Sequence, residues 1–329
     1  MLCPRRFNIN SALQPHACAA TKPLLVVGSM NMDLVLRVDR LPAAGETISA
    51  SSLETFPGGK GANQAAAAAR LGHPTSFYGQ VGTDQFTEAL PEHLRATGCQ
   101  LTLLRQVEGP TGTAVILLQP DGENSIIIVG GANTAEWDIG DQQQQAIRGA
   151  GGVLLQREVP ESVNVSVAEL AAAAGVPVLL DCGGREGPVN PRLLAALAVL
   201  TPNETELARM TGMPVSTEAE AVAAARQLQA RHDGGMAVLV KRGAAGCTLV
   251  PPGGAPPISQ AAFPVQKVVD TTGAGDCFTG AYAVALLEGQ APQAALRFAA
   301  AAAALCVQTS GAMPSMPKRE SVAALLEEG

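Results

Sequence analysis

Two carboxylates flank a glycine-containing loop in the stretch VVDTTGAGDCFTGAYAVALLE, residues 268–288. Asp270 precedes the loop, and Asp276 follows it directly before a long apolar run. Glycines allow positive φ angles and the close approach of a ligand. A helix that begins near Asp276 would present free N–H groups at its positive end, which is a site for phosphate. This pattern favours Asp276 as a general base that faces a transferring phosphoryl group, and the alternative is a simple N-cap.

A second glycine loop, FPGGKGANQAA at residues 56–66, enters an alanine-rich run and carries Lys60 and Asn63. Asn63 would project from the first helical turn, where its amide suits a sugar hydroxyl; its alternative role is helix capping. Asn31 and Asp33 follow the first predicted strand, at the edge where ligands bind in open α/β sheets. An amide and a carboxylate close together suit vicinal hydroxyls, and turn formation is the alternative.

Two further motifs suggest sites for a magnesium ion and for a nucleotide. In TPNETE, residues 201–206, Asn203 and Glu206 share one face of a first helical turn. They could orient a hydrated magnesium ion or form a capping box. VKRGAAGCTLV, residues 240–250, predicts strand, glycine turn and strand, a weak signal for contact with a nucleotide. The sequence has no GxxxxGK[ST] loop, and Phe278 stands where a dinucleotide fingerprint needs its third glycine.

These motifs lie at the ends of short apolar runs that alternate with helical stretches, which predicts an α/β doubly wound sheet. The predicted strands are 24–27, 75–82, 151–156, 176–181, 235–241 and 267–269. The predicted helices are 61–72, 84–98 (kinked or split by Pro91), 161–174, 203–211, 217–230 and 276–287, the last stopped by Gly289.

Two stretches depart from this alternation of buried strands and helices. Residues 34–56 alternate polar and apolar side chains, and residues 111–131 predict a hairpin around PDGEN. They would form a small separate sheet or the edge of the main one. We expect an apolar face at Val115, Leu117, Ile126 and Ile128, too large to leave in water.

Composition excludes several classes of protein. The chain has 329 residues, 47% of them apolar, and a net charge of −7, which disfavours nonspecific binding of nucleic acid. No apolar run is long enough for a membrane span. The basic residues 1–22 predict a disordered tail or a targeting segment, so we expect a cytoplasmic protein or, if they target, a plastid or mitochondrial one. The cysteines are scattered and odd in number, which indicates a reducing compartment and no zinc site: Cys3, Cys18, Cys99, Cys182, Cys247, Cys277 and Cys306.

Together these stretches resemble the PfkB family of sugar kinases, and in particular its members that act on ribose. DTTGAGDCFTGA resembles the family's C-terminal signature, and GGKGANQA resembles the N-terminal one. GSMNMDLV, LPAAGET, TPNETE and SGAMPS match in order and spacing, so that the resemblance runs from about residue 24 to residue 326. It implies one kinase domain, residues 23–329, with a mostly parallel central sheet flanked by helices. A small β-sheet lid, built from 34–56 and 111–129, would close over the sugar and pair with a second subunit.

The resemblance also implies a role for each matched residue. Asp276 would be the catalytic base, and an anion hole would comprise Gly273, Ala274 and Gly275. Ribose would contact Asp276 and a set of N-terminal residues: Asn31, Met32, Asp33, Gly59, Lys60, Gly61, Ala62, Asn63 and Glu158. The nucleotide would contact Gly275, Asp276 and a second set: Asn203, Lys241, Arg242, Gly243, Ala244, Ala245, Gly246 and Ala300. Asn203 and Glu206 would serve the magnesium–phosphate end. A potassium site would comprise Asp270, Thr272, Cys306, Thr309, Gly311 and Ser315.

The activity implied is phosphorylation of D-ribose at its 5-hydroxyl by ATP with Mg²⁺, activated by K⁺, in a homodimer. Other readings are a family member that acts on fructose, a keto-deoxy sugar acid or a nucleoside, and a noncatalytic sugar- or nucleotide-binding relative. A nicotinamide dehydrogenase is disfavoured by the missing fingerprint. LLDCGGREGP, residues 179–188, departs from the family, where many relatives carry an Asn-Pro-Ala-Pro-like stretch, and the function of this segment stays open.

Overall fold

A computed structural model describes residues 21–120, 123–232 and 235–328. Most of the predicted tail, 1–20, and the Asp121–Gly122 centre of the predicted hairpin turn lie outside these ranges. The strands are β1 Leu24–Val27, β2 Asn31–Arg37, β3 Ser52–Gly58, β4 Thr75–Tyr78, β5 Gln80–Val81, β6 Arg105–Gln106, β7 Gly112–Leu118, β8 Asn124–Val129, β9 Gly152–Arg157, β10 Val178–Gly184, β11 Val199–Thr201, β12 Ala237–Lys241, β13 Cys247–Val250 and β14 Ile258–Gln260. The helices are α1 Lys60–Arg70, α2 Ala89–Arg95, α3 Asp141–Gly149, α4 Glu161–Ala173, α5 Pro191–Ala196, α6 Glu204–Thr211, α7 Glu218–Arg231, α8 Ala274–Leu287, α9 Pro292–Cys306 and α10 Arg319–Glu328.

The main sheet has eight strands in the order β14-β13-β12-β11-β10-β9-β1-β4. From β4 to β12 all neighbours are parallel, and β13 and β14 extend the sheet antiparallel. Helices cover both faces, so the inner strands are apolar on both sides: in β1, Leu24 and Val26 pack in one core while Leu25 and Val27 pack in the other. The α/β doubly wound prediction is therefore confirmed.

Helices α1, α8, α9 and α10 pack on one face, largely through alanines, and α3 to α7 pack on the other. Small residues let backbones approach closely at the edge that carries the polar motifs. A Cβ at Gly61, in α1, would lie 2.7 Å from the Gly28 carbonyl carbon, and a Cβ at Gly28 would lie 1.9 Å from Gln156 Oε1. The turn after β1 and the first turn of α1 thus touch backbone to backbone.

A second sheet, the lid sheet, has the order β3-β2-β7-β8 and is separate from the main one, as the sequence allowed. β7 and β8 form the predicted hairpin. One part of the prediction was wrong: Val115 pairs with Ile127 and Ile116 with Ile126, so Val115 and Ile126 lie on opposite faces. Directly paired residues share a face, and the length of the turn fixes the register. Residues 126 to 129 are half exposed, so both faces of β8 present apolar surface.

Three local predictions also need correction. No strand forms at 267–269; Val268 and Val269 are half exposed, and the Val269 N–H bonds to the Val307 carbonyl rather than to a neighbouring strand. The helix expected over 84–98 begins at Ala89, so Pro91 lies in its first turn, where a missing N–H costs nothing, and neither kinks nor splits it. The last predicted helix begins at Ala274, two residues before Asp276.

Among the described residues, no helix is long and apolar enough to cross a membrane. The same part of the chain contains no group of three or more His, Cys, Asp or Glu side chains that could hold a metal ion.

Candidate functional site

Asp276 is buried in the first turn of α8, at the third helical position. The N-cap is Gly273, whose φ of 78° is one that glycine adopts readily, and no side chain caps this helix. The capping interpretation of Asp276 is therefore wrong. The carboxylate nevertheless lies at the positive end of the helix. In the TTGAG loop before it, the N–H groups of Thr272 and Ala274 bond to the Asp270 carboxylate and to the Thr271 carbonyl.

Two amides hold this carboxylate. Asn63 Nδ2 donates to Asp276 Oδ2 at 3.0 Å, and Gln64 Nε2 donates to Oδ1 at 3.0 Å. Gln156 Nε2, at the end of β9, donates in turn to Gln64 Oε1 at 2.7 Å. Because a carboxylate only accepts, the orientation of each amide in this chain is determined. Asn63 thus contacts the candidate base and does not cap α1, whose N-cap is Gly59.

The sugar-binding candidates of the N-terminal half converge beside Asp276. Asn31 begins β2 and accepts a hydrogen bond from Asn133 Nδ2 at 2.7 Å, so it is a strand residue rather than a turn residue. Glu158 accepts from the Ser29 hydroxyl at 2.6 Å and from the Lys60 backbone N–H at 3.0 Å. Its carboxylate therefore joins the turn after β1 to the start of α1.

Asp33 carries an unusual charge state. Burial, together with the nearby carboxylates of Glu158 and Asp276, raises the pKa of Asp33 to about 7, against an ordinary value of 3.8. Lys60 opposes this shift, and the pKa of Lys60 is itself raised, chiefly by Asp276. A crowded set of carboxylates with one ammonium group is a place where groups that donate hydrogen bonds, such as sugar hydroxyls, relieve repulsion.

On the other side of Asp276 lies a polar cavity of about 440 Å³. Its lining includes Lys60, Asp181, Asn203, Glu206, Lys241, Gly273, Gly275 and Asp276. Lys241 Nζ lies 2.6 Å from Asp181 Oδ2. Burial alone would raise the pKa of Asp181, but the ammonium groups of Lys241 and Lys60 hold it below its ordinary value. The polar cavity thus has cationic groups beside the glycine loop, as an anionic ligand requires.

Asn203 and Glu206 form the capping box that the sequence allowed. Asn203 Oδ1 accepts from the Glu206 N–H at 2.8 Å, and Glu206 Oε2 accepts from the Asn203 N–H at 2.7 Å. Because both residues also line the polar cavity, capping fixes them where a ligand would lie.

A separate apolar cavity of about 400 Å³ adjoins the glycine loop of α8. Its lining includes Lys241, Gly243, Ala244, Gly246, Phe263, Ala274, Gly275, Phe278, Ala300 and Val307. Of the predicted nucleotide contacts, Asn203 and Asp276 line the polar cavity instead, and Arg242 and Ala245 line neither cavity. Arg242 pairs with Glu218 at 3.5 Å. A flat aromatic ligand that carries phosphates would fit with its ring here and its phosphates in the polar cavity.

The predicted potassium residues fall into two local groups. Asp270 accepts from the N–H groups of Thr272, at 2.9 Å, and Gly311, at 2.8 Å. Cys306 Sγ lies 3.0 Å from Ser315 Oγ, and the Thr309 N–H bonds to the Cys306 carbonyl at 3.2 Å. Asp270 therefore ties the glycine loop of α8 to the segment after α9.

Some predicted site residues do not present a side chain, and others were missed. Met32 and Ala62 pack in the apolar core, so only their backbones could contact a ligand. Sequence reasoning missed the polar residues that support the site from behind: Ser29, Gln64, Asn133, Gln156, Asp181 and Thr279. One signal was available for Gln156 and Asp181, since each is a polar residue near the end of a wholly apolar strand.

Comparison with known proteins gives a consistent set of relatives. The model of the pfkB family of carbohydrate kinases matches residues 21–319. The ribokinase of Arabidopsis thaliana is 50% identical over 328 residues, covering 97% of this chain and 84% of that protein. The ribokinase of Bacillus subtilis is 38% identical, covering 92% and 99%. The solved structure of the Arabidopsis thaliana ribokinase complexed with ribose and ATP superposes with a TM-score of 0.87, at 49% identity, and covers 93% of this chain and 99% of that one.

Proposed function

The chain belongs to the pfkB family of carbohydrate kinases, and we propose that it transfers the γ-phosphoryl group of ATP to the 5-hydroxyl of D-ribose. The relatives named above are ribokinases, and one of them is solved with both substrates. The observation that carries the proposal is the position of Asp276. Its buried carboxylate lies between the carboxylate and amide cluster of the N-terminal half and the polar cavity at the start of α8.

The proposed reaction needs little covalent chemistry from the protein. Phosphoryl transfer depends on positioning and on stabilising charge. Asp276 takes the proton of the 5-hydroxyl as that oxygen bonds to the γ-phosphorus of ATP and the bond from that phosphorus to the departing ADP breaks, a contribution of about 10²–10⁴-fold in rate. Asn63 gives up its hydrogen bond to Oδ2 when the sugar arrives, while Gln64 keeps Oδ1 in place. The amides of Gly273, Ala274 and Gly275 stabilise the transferring group, at about 2.7–4 kcal/mol for each well-placed donor. The Ala274 N–H exchanges its 3.2 Å bond to the Thr271 carbonyl for one to the phosphoryl group.

The sugar is held at the other end of the site. Asp33 and Glu158 accept hydrogen bonds from its hydroxyls, and Asn31, fixed by Asn133, orients them. The lid sheet forms one wall of a cleft of about 530 Å³ beside this cluster, since Asp33 of β2 and Phe56 of β3 line it opposite Asp270 and Gly311. Closing the cleft would exclude water, which otherwise competes with ribose for the phosphoryl group.

Two ions belong to the proposal. Oxygen ligands suit Mg²⁺, and the cavity offers Glu206 and Asn203, whose capping box fixes them near the phosphate end. When bound with ATP, Mg²⁺ neutralises charge on the phosphates. Carbonyl oxygens and a carboxylate suit K⁺, and Asp270 with the segment from Cys306 to Ser315 offers both. A cation there would stiffen the loop that Asp270 already ties down.

An ADP-release assay over a panel of acceptors tests the function: D-ribose, 2-deoxyribose, fructose, a 2-keto-3-deoxy sugar acid and adenosine. We expect D-ribose to be phosphorylated at its 5-hydroxyl with the highest kcat/KM, and 2-deoxyribose to be poorer because a buried partner of its missing hydroxyl is left unpaired. Equal or better turnover of fructose, the sugar acid or adenosine would overturn the choice of substrate, and binding without turnover would indicate a noncatalytic relative.

A further inference from the structure

Asp181 is a buried carboxylate for which the mechanism above has no use. It lies near the carboxyl end of β10, in the LLDCGG segment, and its side chain is 2% exposed. An unpaired charge at such a depth is costly, so its partners indicate what it does.

Both oxygens of this carboxylate have partners, and those of Oδ2 lead into the polar cavity. Oδ1 accepts from the Gly183 N–H at 2.8 Å, which fixes the plane of the group. Oδ2 lies 2.6 Å from Lys241 Nζ and 2.8 Å from Thr279 Oγ1. The Thr279 hydroxyl is also 2.9 Å from the carbonyl of Gly275. Asp181 is therefore connected, through one side chain, to the first turn of α8.

The two lysines of the polar cavity meet at Asp181. A methyl group added at Gly183 would lie 2.9 Å from Lys60 Nζ, so the end of Lys60 packs on the segment that follows Asp181. A methyl group at Gly275 would lie 3.8 Å from Lys241 Nζ, so this ammonium lies against the glycine loop. The two ammonium groups repel each other, and the Asp181 carboxylate, whose pKa both of them lower, offsets the repulsion.

Resting on the kinase function proposed above, we propose that Asp181 is a positioning residue, which holds the ammonium group of Lys241 against the glycine loop of α8, where it stabilises charge on the transferring phosphoryl group. Among the described residues, Asp181 is the one carboxylate that pairs with the ammonium group of Lys241, whose other hydrogen-bond contact is the neutral Thr279 hydroxyl at 3.4 Å. With Asp181 it is held before ATP arrives, so that little reorganisation is needed during the reaction.

This role predicts a particular kinetic signature. In Asp181→Asn, Lys241 keeps its charge but loses the negative charge that pairs with it, and the single amide oxygen must serve either the Lys241 or the Gly183 donor. It can still attract the phosphates of bound ATP, and the repulsion between Asp181 and those phosphates is gone. We therefore expect kcat to fall by about tenfold, while KM for ATP does not rise. Damage to the fold alone would instead raise KM for both substrates and lower Tm.

The decisive comparison is Asp181→Asn against the double variant Asp181→Asn/Lys241→Met, with kcat measured at saturating ATP and the best acceptor of the panel. Because Asp181 acts through Lys241, removing Lys241 from Asp181→Asn should change kcat by less than about threefold. Values more than about fivefold below the parent for both variants support the proposal. The proposal would be overturned if kcat of Asp181→Asn lay within about fivefold of the parent. It would also be overturned if kcat of the double variant differed from that of Asp181→Asn by more than about threefold.

The design copes with failure of folding and of the proposed function. The double variant has lost one positive and one negative charge, so no buried charge is left unpaired and it should fold even if Asp181→Asn does not. If the folded double variant has a kcat within about fivefold of the parent, the proposal is overturned. Glu169→Gln is the matched control, since it removes an exposed carboxylate paired with Arg192 at 2.7 Å and should leave kcat unchanged.

If ribose is not the acceptor, only the proposed substrate is wrong, and the test proceeds with the acceptor that the panel identifies. If no acceptor is found, calorimetry replaces kcat: the ATP-to-AMP affinity ratio should fall about fivefold in the double variant, and an unchanged ratio overturns the proposal.

Discussion

Replacing Asp276 by asparagine separates the chemistry of this carboxylate from its place in the fold. The substitution keeps size and shape but removes the proton acceptor. As Asp276 is not the N-cap of α8, its structural value lies in the bonds that it accepts from Asn63 and Gln64. An asparagine can accept only one of them, because its NH₂ group would face the other donor.

The structure indicates how that conflict resolves. Asn63 Oδ1 is buried and has no hydrogen-bond partner. If the Asn63 amide turns over, its oxygen accepts from the new NH₂ group, while the new oxygen keeps the bond from Gln64. The Asn63 NH₂ group then takes the buried position of its former oxygen, where no hydrogen-bond partner lies, and relief of the repulsion between Asp276 and Asp33 offsets this cost. We expect the free energy of unfolding to stay within about 1 kcal/mol of the parent.

Turnover should respond very differently. Without the base, kcat at saturating ribose, ATP, Mg²⁺ and K⁺ should fall by about 10²-fold or more, about 2.7 kcal/mol of transition-state stabilisation, with much smaller changes in binding of ribose and ATP. The matched control is the exchange variant Asn63→Asp/Asp276→Asn, which keeps the charge of the site but moves the carboxylate across the hydrogen bond; it should stay inactive. Activity of Asp276→Asn within threefold of the parent would remove Asp276 from the mechanism.

Three further predictions address charge, ions and assembly. The pKa of Asp33 is about 7 in the folded chain and 3.8 in the unfolded chain, so between these pH values the folded chain keeps a proton that the unfolded chain has lost. The ionised Asp33 therefore destabilises the fold by an amount that is zero below pH 3.8, grows as pH rises and is complete above pH 7. Asp33→Asn should therefore raise the free energy of unfolding at pH 8 by at most about 4 kcal/mol, at ~1.36 kcal/mol per pKa unit, and should raise it less at pH 5. The same substitution should weaken ribose binding. Equal changes in the free energy of unfolding at pH 5 and pH 8, measured by chemical denaturation, would contradict this prediction. Turnover should be higher in K⁺ than in a tetraalkylammonium buffer, and Asp270→Asn should reduce that difference; identical kinetics in the two buffers would refute a cation site. The apolar strand β8, with Ile127 59% exposed, should be covered in a homodimer through the lid sheets, so light scattering at micromolar concentration should give a dimer for the parent and a monomer for Ile127→Lys.

The parts of the site that could be predicted from sequence are those where a glycine loop and a polar residue adjoin an apolar run. Asp276, Asn63 and Asn31 all meet this condition, because a free helix end or strand end is a local property. The same reasoning found the central sheet, whose strands are apolar on both faces. It misplaced a strand at 267–269, because two adjacent valines form no strand without a neighbour to pair with.

The supporting polar residues could not be found in this way. Gln64 follows Asn63 in a run that reads as helix, and only the packing of α1 on α8 shows that it reaches Asp276. The Lys241–Asp181 pair joins residues sixty positions apart in the chain. The apolar face predicted for the lid sheet was wrong for a related reason. The register of β7 and β8 depends on the geometry of the turn between them, which the amino-acid composition of the turn does not determine.

The backbone contact between Gly28 and Gly61 limits how this protein can diverge. Most packing faults are repaired by a compensating change, in which one side chain grows as its neighbour shrinks. No such repair exists here, because a methyl group at Gly61 would meet the main chain of the Gly28 turn, which every residue type shares. Asn31 and Asp33, a few residues beyond that turn, therefore stay in fixed relation to Asn63, near the start of α1. New sugar specificity would have to arise by exchange of side chains on this rigid frame or by changes in the lid, and not by gradual displacement of the frame itself.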